Sequence, residues 1–205
     1  MIEKQYPQIP VSSSDEQMLI PLLNAESDFL TFSEGDLSFQ ASELPFFKNY
    51  LLLTAWYCHS IPPISFLYLW NKNDAVIVLN GTKEPVFENL QKLELVLNAK
   101  TIIPYIRFVL NNVWTSGGSM RLVEDYEEIK FSSKPTEEEI VFLLKNIRPA
   151  KVTPTENGYN IDAVVILDDC VFQSNIMLQS NGIFDIESET LLCEKYRCLR
   201  PVFLE

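Results

Sequence analysis

Residues Tyr50 to Trp70 read YLLLTAWYCHSIPPISFLYLW, a stretch without Asp, Glu, Lys or Arg and of the length that spans a bilayer. Its reading decides the fold. Pro62 and Pro63 stand just past its middle, with His59 and Ser60 beside them. Two prolines there break a helix and leave carbonyls unpaired, which lipid tolerates poorly. Neither flank is markedly basic. The stretch is therefore expected to form two buried elements meeting at a Pro-Pro turn, with no membrane span. Phe46 to Cys58 is apolar on nearly every side, so its periodicity fits a helix or a strand equally. Ile64 to Trp70 alternates as a strand should, with Ile64, Phe66, Tyr68 and Trp70 on one side and Ser65, Leu67 and Leu69 on the other.

Downstream, Asn71 to Asp74 is a turn, Ala75 to Leu79 an apolar strand, and Asn80-Gly81 its end. Asn80-Gly81-Thr82 matches a glycosylation sequon but reads better as that turn. Alternation of Leu93, Leu95 and Leu97 predicts another strand. Thr101 to Trp114 predicts a helix, with Ile102, Ile106, Val109, Leu110 and Val113 at helical spacing and Pro104 in the first turn. Ser116-Gly117-Gly118-Ser119 stops it, and a strand pair follows around Met120 to Phe131. Thr136 and Glu139 have capping-box spacing for a helix whose buried stripe is Ile140, Leu143, Leu144 and Ile147. Glu137, Glu138 and Glu139 suit the positive end of its dipole.

The last third reads as a meander. Tyr159 to Leu167 is a strand and Asp168-Asp169 a turn. Cys170 to Ser180 is a second strand, with Cys170, Phe172, Ile176 and Leu178 on one side and a more polar face opposite. Asn181-Gly182 is a hairpin turn leading to Ile183 to Glu187. Leu191 to Leu204 predicts a further strand or short helix.

Upstream, Ser13 and Glu16 suggest a cap for a helix over Ser13 to Leu23, shortened or kinked at Pro21. Leu30 to Pro45 carries little signal. The expectation is an α+β fold: an antiparallel, strongly twisted sheet with two or three amphipathic helices packed mainly on one face. Residues 1–14 are read as an irregular N-terminal arm and 15–205 as a single domain.

The chain has 205 residues, 47% of them hydrophobic, and a net charge of −12. Residues 1–50 hold 2 basic and 8 acidic groups, and residues 151–205 hold 4 and 9, so the acid sits at both ends. This balance disfavours nucleic acid and anionic membranes, which need a positive surface. It fits a basic protein partner or simple solubility, and solubility is the more ordinary cause of such a charge. Cys58, Cys170, Cys193 and Cys198 form no C-x-x-C pair and read as reduced thiols. The start, MIEKQYPQIP, has no basic region followed by an apolar one, so no secretory signal is expected. Together these features predict a cytoplasmic protein.

Signatures of chemistry are sparse. Neither Gly-rich phosphate loop occurs, nor a G-x-S-x-G elbow, and a single His with scattered acids predicts neither metal nor cofactor. His59 has Cys58 and Ser60 as neighbours in sequence, which diverge from it on any regular element. Asp162, between Ile161 and Ala163, is the best single carboxyl for acid–base work. The aromatic residues Trp56, Tyr68, Trp70, Tyr105 and Trp114, with His59, are the candidate contacts for a partner or ligand. Lys195, Arg197 and Arg200 are too few for a nucleic-acid stripe.

The leading expectation is a non-catalytic protein-binding module: an adaptor, escort or neutralising partner of a basic protein. The alternative is a small enzyme or ligand-binding protein with an aromatic-lined pocket that uses Asp162 or His59. A homodimer is a third reading, because mid-chain apolar residues and a sheet edge could be buried between copies.

Overall fold

A computed structural model of the protein describes residues 6–27, 30–114, 120–129, 134–168 and 170–193. Among these, residues up to Val96 form one compact unit and residues from Leu97 onward form a second. The class is α+β, with two antiparallel sheets and four α-helices among the described residues.

The first unit contains β1 (Gln8–Ile9), α1 (Ser13–Ala25), β2 (Leu37–Glu43), β3 (Leu51–Tyr57), β4 (Ile64–Trp70), β5 (Val76–Val78) and α2 (Glu84–Phe87). Its sheet runs β1-β2-β3-β4-β5, each neighbour antiparallel. The charge-free stretch is thus the β3–β4 hairpin, with Leu51 opposite Trp70 and Tyr57 opposite Ile64. Pairing with β2 on one side and β4 on the other decides that β3 is a strand, which its own apolar run could not. No helix among the described residues is long and apolar enough to cross a membrane.

Local chemistry sets the turns. Asn71 Oδ1 accepts the N–H groups of Asn73, Asp74 and Ala75 and so closes the β4–β5 turn. Asn80 Oδ1 accepts the N–H and the hydroxyl of Thr82, as the turn reading of that sequon requires. The alternation at Leu93 to Leu97 does not make a strand. Glu94 has φ of 48° and turns the chain, leaving Leu95 a single bridge to Phe47.

Helix α1 starts at Ser13 as its sequence suggests, but its cap lies one residue earlier than expected. Ser12, not Ser13, is the N-cap, and Asp15 completes the capping box. Pro21 does not end it. Its missing N–H would have met the carbonyl of Gln17, a residue on the exposed side of the helix, and the helix continues to Ala25. Leu19 and Leu23, one turn apart, are fully buried with Ala41, Leu53, Ala55, Tyr68 and Trp70 on the sheet face. Each such leucine contributes about 1.5–3 kcal/mol.

The second unit contains α3 (Ile102–Phe108), which runs into a π-helical turn over Val109–Val113, then β6 (Met120–Val123), a 3-10 turn (Tyr126–Glu128) and α4 (Glu137–Asn146). There follow β7 (Lys151–Thr155), β8 (Gly158–Leu167), β9 (Cys170–Gln179) and β10 (Phe184–Cys193). The sheet order is β10-β9-β8-β6, with β7 also on β8. Val123 lies opposite Val164 and Lys151 opposite Asp162, so β6 and β7 occupy one edge of β8 in succession. The chain leaves that edge at Glu124 and returns at Ala150.

The expected strand pair over Met120 to Phe131 is therefore one strand. Asp125 accepts the N–H of Glu127 and winds the chain into the 3-10 turn. Phe131, the Ser116 to Ser119 loop, Asp169 and the chain beyond Cys193 lie outside the described residues. Thr136 and Glu139 form the capping box of α4 as expected.

Helices lie on both faces of this sheet. Leu143 and Ile147 in and after α4 pack with Val123, Val164, Ile166 and Val171. Tyr105 of α3 meets Phe184 on the opposite face, at 6.2 Å between ring centres. The cause is visible in β8, where consecutive residues Ala163 to Ile166 are all buried. Val171, on the more polar side of β9, is accordingly buried beneath α4. Leu144 does not join the α4 stripe. The sheet takes Leu143 and Ile147 with the partly buried Phe142, and Leu144, a hundred degrees round from Leu143, is left 60% exposed.

Candidate functional site

The six candidate contact residues fall in different settings. Tyr68 and Trp70 belong to the first unit's core, facing α1, and Trp70 is 1% exposed. Trp56 is half-buried on the other face of the same sheet, in register with Ser38 and Ser65. Tyr105 is fully buried in the second unit, where its hydroxyl donates to the carbonyl of Gly182 at 2.8 Å. Burial pushes that hydroxyl above its ordinary pKa, and pushes Tyr68 up to about 12. Trp114, after the π-helical turn, is half-buried. Within the first unit Tyr68 and Trp70 share a face with each other but not with Trp56.

His59 sits exposed at the tip of the β3–β4 hairpin. Its Nε2 is 3.1 Å from Asp36 Oδ1, and its ring stands edge-on to Tyr57 at 5.4 Å. Asp36 also holds its own turn, accepting the N–H of Ser33 on Oδ2 and that of Cys58 on its carbonyl. The hydroxyl of Ser60 donates to the carbonyl of Tyr57 and accepts the N–H of Ile64. The Cys58 thiol is directed at the carbonyl of Trp56. Both sequence neighbours of the imidazole thus spend their bonds on the hairpin backbone, bracing the tip.

Asp162 projects from β8 at the sheet surface. Its Oδ2 pairs with Arg148 at 3.2 Å, and its Oδ1 accepts from Gln173. The side chain is 41% exposed, so this is a surface ion pair and not a carboxyl held in apolar surroundings.

The acid runs Glu124-Asp125 and Glu127-Glu128, which sequence alone reads as water-facing, supply the carboxylates of an ion-pair group whose cation, Arg107, the sequence did not single out. Arg107 of α3, 17% exposed at its side chain, pairs with Glu124 at 2.7 Å and with Glu128 at 3.3 Å. Glu128 in turn accepts the N–H of Glu124 on its other oxygen. A lone cation inside an apolar helix, with an acid-rich stretch ahead of it, was the available signal. The group stands at the neck where the chain leaves and rejoins the edge of β8, and its geometry is that of a structural clasp. No group of three His, Cys, Asp or Glu side chains able to hold a metal ion occurs among the described residues.

At the hairpin tip Ile61 is fully exposed, with Pro62 and Pro63 exposed beside it. Behind them Phe32 packs on Tyr57 and Phe66, with ring centres 6.4 and 5.6 Å away. The chain matches no known protein family, no curated protein and no solved structure.

Proposed function

We propose that the protein acts in the cytoplasm as a non-catalytic binding module, an adaptor, escort or neutralising partner of a basic protein. The observation that carries this reading is charge. Residues 1–96 hold 5 basic and 12 acidic groups, and residues 97–205 hold 11 and 16, so both parts of the chain are acidic. Exposed acids lie in both units, including Glu34 in the first and Glu137, Glu138, Glu187 and Glu189 in the second. Such a surface attracts a basic protein at long range and repels nucleic acid.

Screening supplies the test. Affinity capture by the full chain is run at about 50 mM and about 500 mM salt, which shortens the Debye length several-fold. Basic proteins retained at low salt and released at high salt support the reading. Partners that are indifferent to salt, or no partner at all, count against it.

A further inference from the structure

Among the described residues, the most exposed large apolar side chain is at the β3–β4 tip. Ile61 has 101% of its reference surface in water, whereas the next most exposed, Val141, has 66%. The tip is also held in place. It joins two seven-residue strands whose far ends are core, from Leu51 and from Trp70. Ser60 ties its two sides together, and His59 ties it to the turn of Ser33 to Asp36. An apolar group fixed in one geometry loses little conformational freedom when it is buried by a partner.

The surroundings select the partner. No Lys or Arg lies between Lys48 and Lys72, while Glu34 and Asp36 stand in the turn bonded to the tip. We propose that Ile61-Pro62-Pro63 is a plug that seats against apolar side chains of a basic protein segment, with the exposed Glu34 meeting lysines or arginines beside it. This rests on the binding-module reading and names its contact surface. An anionic bilayer is disfavoured, because the tip brings acids and no cations to it, and one aliphatic side chain with two prolines is a small anchor. A second copy of the chain would set acid against acid.

The probe is a displayed library of random peptides of about twelve residues, selected against the full chain and then measured individually. Selected peptides are expected to combine apolar residues with Lys or Arg. Their affinity is expected to fall at least about tenfold with Ile61→Asp or Ile61→Ser, and several-fold with Glu34→Lys. Leu191→Asp, an exposed control in the other unit, is expected to change it less than about twofold. Peptides that bind Ile61→Asp as tightly as the parent overturn the plug. If that binding is still salt-sensitive, the binding-module reading stands without it. If no peptide is enriched, the plug is refuted, and the binding-module reading stands or falls on the salt-dependent capture described above. Ile61-dependent binding of phosphatidylserine vesicles overturns the plug in favour of a membrane contact.

Discussion

Glu124 Oε1 accepts the backbone N–H of Ala150 at 3.0 Å, across 26 residues of chain. One side chain thereby joins the point where the chain departs from β8's edge to the point where it returns. Arg107 holds that carboxylate from α3 on its second oxygen.

Removing either member should loosen this neck. Glu124→Gln is expected to cost about 1–3 kcal/mol, the usual loss for a charge-assisted bond left unmade. Arg107→Met should cost more, about 3–5 kcal/mol, since it leaves Glu124 and Glu128 facing each other without a cation. Urea midpoints give the totals. Faster amide exchange at Ala150 in Glu124→Gln, with β9 unchanged, would assign the loss to the clasp.

Alkaline pH should destabilise the fold through two tyrosines. Burial raises Tyr68 from 10.0 to about 12 and raises Tyr105 in the same direction. The folded state therefore keeps its protons where the unfolded state has lost them. Stability is full below pH 10 and falls above it, by up to about 1.4 kcal/mol per pH unit for each group. Denaturation midpoints from pH 8 upward should show this decline, and Tyr68→Phe should make it shallower. A flat profile through pH 11 would contradict the burial of both hydroxyls.

The two candidate caps of α1 make a direct comparison. Ser12→Ala should cost about 1 kcal/mol and Ser13→Ala less than about 0.5 kcal/mol. Bonds from the Ser12 hydroxyl and backbone N–H hold the Asp15 carboxyl below its ordinary value of 3.8. Its contribution is therefore present above that pH and lost as pH falls through the lowered value. Thermal melts of the two variants decide which serine caps; equal shifts would place the cap wrongly.

Gly158 opens β8 against β9. A Cβ built there would lie 2.0 Å from the carbonyl oxygen of Leu178, a backbone atom that cannot swing aside. Gly158→Ala should cost more than about 3 kcal/mol, because the two strands must part. Gly35, with φ of 89° but nothing within 4 Å, should lose only about 1–2 kcal/mol on the same change. Comparable losses at both positions would remove steric approach as the cause.

Features written in neighbouring residues were legible. Alternation in β4, the Asn71 turn and the Thr136 capping box depend on contacts within a few positions, and each is where its residues predict; the turn at Asn181-Gly182 is also in place, though it is closed by Gln179 and Ile183 and so is longer than the two residues expected. Features decided by distant partners were not. β2 has a weak pattern of its own and exists because β1 and β3 flank it. Leu93 to Leu97 has the alternation of a strand without a neighbouring strand to extend it. The two sheets could not be told from one, since strand order depends on contacts far apart in sequence. Among the candidate residues, ring size and polarity marked Tyr68, Trp70 and Tyr105, but the same properties mark a core. Ile61 carried no sequence signal, because only the tertiary structure shows which isoleucine faces water.

The interrupted edge along β8 has a consequence for how the chain could be edited. Val123 and Lys151 face positions 164 and 162, so only Ala163 lies between their partners. Splicing the chain from Val123 to Lys151 through one linking residue would restore an unbroken outer strand. The segment from Glu124 to Ala150 is in that sense a cassette: replaceable by other sequences whose ends meet, provided they supply a substitute cover for Val164, Ile166 and Val171 and a carboxylate for Arg107.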